Sequence, residues 1–328
     1  MKNGRLLSIM LCLASMAPSL VHAEPTTIRL GFIAASTRLF QSLPLQIAQQ
    51  KGMLEKEGLR LEVVMLAGTD QMVAALDDGR VDITSTALPY LVNAVLKGSD
   101  AVAVVGGPAN TISTLVARPE IKTYADLKGQ MVGLSLPVDV ITIGTRKLLA
   151  AQGLQDGDYK TKELVGTPAR AKCLESEDCA AVPLVQPDDL LFRRKGYHLL
   201  GNTTEVLPVL QFTVFAARRS WASQHKDELV RFARAMGEAD RFMGDPKNRA
   251  DVIAMGAVAT GADPDIVSQI YDLYYQPYRG VIPKQGEINV PGITVTIELM
   301  GASGQLKDPL PPAERFVDLQ FLRAAGLQ

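Results

Sequence analysis

Short runs rich in Ile, Val, Leu and Ala recur along the chain. Ile28 to Ile33, Leu61 to Leu66, Val81 to Ile83, Ala101 to Val105, Thr111 to Ala117, Met131 to Leu134, Ala180 to Val185 and Val209 to Ala217 all read as strands. Between them stand helix-like segments closed by glycine. Pro44 opens one that stops at Gly52, another ends at Gly79, Leu88 to Lys97 stops at Gly98, and Val140 to Gln152 stops at Gly153. Thr123 to Asp126 has the spacing of a helix cap. Later, Ser220 caps a helix through Met243, and Asp263-Pro264 opens one through Tyr274. Strands alternating with helices predict an α/β fold of mostly parallel sheets flanked by helices. Its polar loops follow strands, where open α/β folds hold small ligands.

The first 23 residues stand outside this pattern. Lys2 and Arg5 give a basic start, Leu6 to Ala17 an apolar middle and Val21-His22-Ala23 a small-residue exit, so residues 1–23 read as a secretory signal cleaved before Glu24. The apolar run is shorter than the ~20 residues of a spanning helix, so no direct membrane insertion is expected. Leu11 precedes Cys12 where lipoprotein signals carry a small residue, which argues against lipidation. The mature chain is expected in the periplasm. It is long enough for two domains of ~100–200 residues each.

Charge and composition narrow the function classes. Lys+Arg 34 against Asp+Glu 35 leaves a net charge of −1 without a basic stripe, which excludes nucleic acid as a partner. Aromatics are 5% of the chain, so extensive ring stacking on a ligand is not expected. His22 leaves with the signal, and His198, read in a turn, and His225, at the start of a charged helix, read as surface residues. Nucleophile-elbow, P-loop, zinc-protease and dinucleotide patterns do not occur, which argues against an enzyme. Three readings of Cys173 and Cys179 stand: a disulfide, free thiols, or a metal pair that would need His or further Cys nearby. No metal or cofactor is expected.

Five segments carry a family resemblance: Pro44-Leu45-Gln46-Ile47-Ala48-Gln49-Gln50-Lys51-Gly52-Met53-Leu54-Glu55-Lys56-Glu57-Gly58-Leu59, Leu76 to Ile83, Asp126 to Gly133, Leu148 to Leu154, and Pro311 to Leu319. In order and spacing they resemble the periplasmic binding proteins for nitrate, sulfonate, taurine and thiamine precursors. The resemblance implies a two-lobed type II periplasmic binding protein with two crossover strands. One lobe would comprise residues 24–110 and 213–328, the other 111–212. It further implies a monomeric receptor of an ATP-driven ABC importer, closing on a small organic solute of the sulfonate, carboxylate or nitrogen heterocycle class. An ABC permease and its ATPase subunit would be its partners. Two other readings are an exported or pyrimidine-synthase-like enzyme on this fold and a sensory binding module. The cysteine-rich iron-binding motif of the pyrimidine synthase has no counterpart here.

Ligand contacts are expected at strand ends. After the first strand, Arg38, Leu39, Phe40 and Gln41 stand together; Arg38 either grips an anion or lies on the rim, and Phe40 either stacks on a planar ligand or fills the core. Ser85, Thr86 and Ala87 precede a helix begun by Pro89, where free N–H groups favour an acceptor, although the hydroxyls also suit a plain cap. Gly106 and Gly107 let backbone approach a solute, or make a turn. In the second lobe, Ser135, Pro137, Val138 and Asp139 form a strand-to-helix junction. Asp139 departs from the resemblance: it is either an N-cap or a cleft carboxylate that selects a donor or amine. Gln186 stands where the family often carries an aromatic residue and an acid, and Gln211 lies on the return crossing. Arg38 argues for an anion and Asp139 for a donor, which a zwitterion or neutral heterocycle would reconcile.

Overall fold

In the computed structural model, which describes residues 24–207, 210–275 and 279–328, the described strands form two five-stranded sheets. They are β1 (Thr26–Ile33), β2 (Leu59–Leu66), β3 (Ile83–Ala87), β4 (Ala101–Gly106), β5 (Thr114–Ala117), β6 (Met131–Leu134), β7 (Lys160–Glu163), β8 (Ala181–Leu184), β9 (His198–Asn202) and β10 (Thr213–Arg218). The first sheet has the order β2-β1-β3-β10-β4 and the second β7-β6-β8-β5-β9. Each is a mixed sheet with one reversed strand. β10 runs antiparallel between β3 and β4, and β5 antiparallel between β8 and β9. The remaining pairs, β1 with β2 and β3, and β6 with β7 and β8, are parallel. Both lobes therefore share one plan, and in each the reversed strand is the one that arrives from a crossing.

Burial explains the placement. Every residue of β4 is buried, as a strand covered on both faces must be. In the second sheet Leu115 and Ala117 join the core on one face and Val116 that on the other, the alternation a strand imposes. The long helix Lys226–Gly244 turns Leu229, Phe232, Ala233, Met236 and Met243 inward and packs on the helix Leu43–Gln50. Among the described residues no helix is long and apolar enough to cross a membrane.

Several expectations change. β3 runs on through Thr84, Ser85, Thr86 and Ala87, so these hydroxyl residues lie in a strand rather than in the loop after it. The crossings are less β-like than their composition suggests, because β5 begins at Thr114 and β10 at Thr213. Ahead of those strands the two segments bond to each other, Phe212 N–H to Ala109 O at 3.1 Å and Thr213 N–H to Pro108 O at 2.9 Å. The helix expected from Ser220 divides into Arg219–Gln224 and Lys226–Gly244, interrupted at His225. His198 lies in β9 rather than a turn, its Nε2 3.0 Å from Pro119 O. Cys173 and Cys179 are joined by a disulfide, which ties the helix Thr167–Glu175 to the start of β8. The secretory signal expected at residues 1–23 lies outside the described residues.

Candidate functional site

A cavity of about 420 Å³ lies at the C-terminal ends of the parallel strands, with walls from both sheets. Five helices begin at it: Leu43–Gln50, Asp70–Asp77, Leu88–Leu96, Val140–Ala151 and Thr167–Glu175. Pro44, Pro89 and Pro168 occupy first-turn positions in three of them, where a missing N–H costs nothing. Such N-termini offer unpaired N–H groups and the positive ends of helix dipoles. Phe32, Leu39, Phe215 and Met236 supply an apolar wall from the first lobe.

Nine of the sequence candidates border the cavity: Leu39, Gln41, Ser85, Thr86, Ala87, Gly106, Gly107, Ser135 and Asp139. Asp139 is an N-cap, its Oδ1 accepting from Ile141 N–H at 3.0 Å, and the residue also borders the cavity. Gly106 and Gly107 also answer to protein packing. A Cβ on Gly106 would stand 2.1 Å from Glu287 O, and one on Gly107 2.7 Å from Thr213 Oγ1.

Six candidates lie elsewhere. Arg38 is exposed and its Nη2 donates to Thr260 O at 3.2 Å, at the carbonyl end of the helix Arg249–Thr260. Phe40 is fully buried edge-on against Tyr274, the ring centroids 5.3 Å apart, because the short 3₁₀ turn Phe40–Ser42 directs it inward. Pro137 is exposed and its carbonyl accepts from Gln305 Nε2 at 3.1 Å. Val138 packs on the main core. Gln211 precedes β10 and is enclosed by the crossing, donating from Nε2 to Thr213 O at 2.7 Å and accepting from Asn289 N–H at 2.7 Å. Gln186 is also enclosed: it accepts from Tyr274 OH at 2.9 Å and donates to Asp189 Oδ2 at 2.6 Å and to Ile112 O at 3.1 Å.

One charged group at the cavity is one the sequence did not reveal. Arg170, 2% exposed, borders it from the helix Thr167–Glu175. Its Nε donates to Pro183 O at 2.7 Å, Nη1 to Leu164 O at 3.4 Å and Nη2 to Thr167 Oγ1 at 3.3 Å. Among the described residues it forms no ion pair. Burial pushes its pKa below the usual guanidinium value, with Asp139 and then Asp188 acting in the opposite sense. A guanidinium remains charged in proteins all the same, so a cation stands in this wall. Only Gly166-Thr167-Pro168 hinted at it, by announcing a helix start.

Asp240 is the second unforeseen group. It lies 3% exposed on the inward face of Lys226–Gly244 and borders the cavity from the first lobe. Burial holds its carboxyl well above the usual carboxylate range and Glu287 adds to the shift, while the Gly286 N–H and Arg241 oppose it. The acid is thus favoured in its neutral, donor form. Its folded pKa lies above its unfolded one, so on raising the pH the unfolded chain releases this proton first and the native state loses stability. Asp240→Asn carries no such proton. Its stability relative to the parent protein is therefore expected to rise as pH climbs from about 4, the ordinary Asp value, towards neutrality. Thermal melts of both proteins across that range check this, and parallel curves would contradict it.

Comparison with known proteins agrees with this architecture. The profile of the NMT1-like family matches residues 21–257. YtlA of Bacillus subtilis (strain 168), named as a candidate binding protein, is 22% identical over 295 residues, 85% of each chain. Among solved structures, the alkanesulfonate-binding protein SsuA from Xanthomonas axonopodis pv. citri, bound to MOPS, superposes with a TM-score of 0.69 at 20% identity, over 89% of this chain and 98% of SsuA. The periplasmic nitrate-binding protein NrtA from Synechocystis PCC 6803 gives 0.74 at 17% identity, over 92% and 89%. The fold is thus that of the type II periplasmic binding proteins, and by its matching profile the chain belongs to the NMT1-like family.

Proposed function

We propose that the chain is the exported solute receptor of an ATP-driven ABC importer, acting by enclosure rather than by chemical change. Residues 24–110 and 213–328 form one lobe and 111–212 the other, joined by the two crossings. The observation that carries this reading is the cavity itself: both lobes furnish its walls, from the C-terminal strand ends where this class of fold holds ligands. A small organic solute touching both walls makes contacts that a separated pair of lobes lacks, and that difference drives closure. The closed form then docks on a membrane permease coupled to its ATPase subunit. Placement in the periplasm rests on the signal-like residues 1–23 and on structural neighbours named as periplasmic.

Small-angle scattering combined with thermal shift tests the reading. A solute that raises the melting temperature, as preferential binding to the folded state must, should also shrink the radius of gyration and be recovered unaltered. Recovery of a chemically converted compound would replace the receptor by an enzyme.

A further inference from the structure

Two side chains bordering the cavity hold unused bonding capacity, and they come from opposite lobes. Gln41, in the 3₁₀ turn after β1, is 8% exposed, and its Oε1 is shielded from solvent with no hydrogen-bond partner. Among the described residues neither end of its carboxamide is bonded to protein. Buried carboxamides are rarely left so, because an unpaired buried polar atom is costly. Arg170 spends three of the five N–H groups of a guanidinium on Pro183 O, Leu164 O and Thr167 Oγ1, which leaves two.

The demands of the two groups differ. The remaining Arg170 N–H groups match the oxygens of a carboxylate or sulfonate. A carboxamide presents a donor and an acceptor side by side, whichever way it is turned, so a carboxylate or an ether oxygen satisfies at most its donor. An amide, urea or lactam edge satisfies both. The cavity wall of Phe32, Leu39, Phe215 and Met236 calls for an apolar body, and about 420 Å³ limits its size.

We propose that the cleft selects a small organic acid that also carries an amide, urea or lactam group, the acid bound by Arg170 and the amide edge by Gln41. Such a molecule bonds to both lobes at once and thereby holds them together. This rests on the receptor reading above and narrows it to a ligand class.

A matched series tests it by calorimetry on the full protein freed of bound solute by unfolding and refolding. The probes are N-acetyl amino acids and ureido acids, their O-acetyl ester counterparts without the N–H, alkyl carboxylates and sulfonates of equal length, and the same amides without an acid. The acid-bearing amides or ureas should bind. Loss of the N–H should weaken affinity about 10- to 100-fold, the range expected for leaving one buried polar group unpaired. In Gln41→Leu, amide and ester should bind alike; in Arg170→Lys, acids should remain preferred over neutral amides but bind more weakly. Because Arg170 also braces its helix, Gln41→Leu is the deciding variant. The proposal is overturned if plain alkyl acids bind as tightly as the amides, or if Gln41→Leu keeps the preference. Compaction with some other solute and none with these overturns the ligand class while the receptor reading stands. Compaction with no solute at all overturns both.

Discussion

Gln186→Leu is expected to destabilise the protein by about 3–5 kcal/mol. The side chain, 1% exposed, is the centre of a buried polar chain. Tyr274 OH donates to its Oε1, its Nε2 donates to Asp189 Oδ2 and Ile112 O, and Asp189 also accepts from Thr114 Oγ1 at 2.7 Å and Leu190 N–H at 2.8 Å. Leucine leaves the Tyr274 hydroxyl, the Ile112 carbonyl and part of Asp189 cut off from water, at about 1–3 kcal/mol for each unpaired group before relaxation. Burial already pushes the Asp189 carboxyl up, and the hydrogen bonds from Thr114 and Gln186 hold it down, so losing one makes its charge harder to keep. The chain also links lobes: Tyr274 packs on Phe40 in the core of the first lobe, while Thr114 belongs to the second sheet. Denaturant unfolding should show the lower midpoint. A loss below about 1 kcal/mol, the worth of a single ordinary hydrogen bond, would contradict the network reading.

Gly106→Ala should cost about 3 kcal/mol or more, beyond the usual range for one added methyl group in a packed core. Its new Cβ would lie 2.1 Å from Glu287 O, 2.8 Å from Glu287 C and 3.0 Å from Gly286 O. These are backbone atoms, which cannot rotate aside. Moving them stretches the bond from Gly106 N–H to Gly286 O, 2.8 Å long, and displaces the N–H that Gly286 gives to Asp240. Gly98→Ala is the useful comparison. Nothing lies within 4 Å of its Cβ, and its φ of +106° makes the penalty one of backbone conformation alone. Thermal denaturation of both variants should place Gly106→Ala well below Gly98→Ala, and equal stability would refute the close-packing argument.

Eight of the ten described strands were legible because buried strands leave apolar runs, whereas β7, exposed along Lys160–Glu163, and the half-buried β9 left no such run; the two-lobed plan followed from the resemblance carried by Pro44 to Leu59 and its companion segments. β3 was misjudged where Thr84-Ser85-Thr86 read as a polar loop; in the sheet these residues lie beside β10, whose Ala216, Phe215 and Val214 oppose them. For the site, segments were legible and side-chain directions were not. Strand ends led to Leu39, Gln41, Ser135 and Asp139, but a single short turn sends Phe40 to the core while leaving Leu39 and Gln41 at the cavity. Arg170 sits between Ala169 and Ala171-Lys172, a surface-like context, and only the fold buries it. Asp240 was within reach, since it follows Ala233, Met236 and Gly237 on the apolar spacing of one helix.

The position of β10 inside the first sheet also governs the sequence in which the molecule can be finished. All strands of the second sheet lie within residues 114–202, so a nascent chain can complete that sheet while the earlier one still lacks an interior member. Until residues 213–218 emerge, β3 and β4 have no β10 to pair with, and each presents the kind of naked edge on which stray strands dock. The part of the polypeptide made first is therefore sealed last.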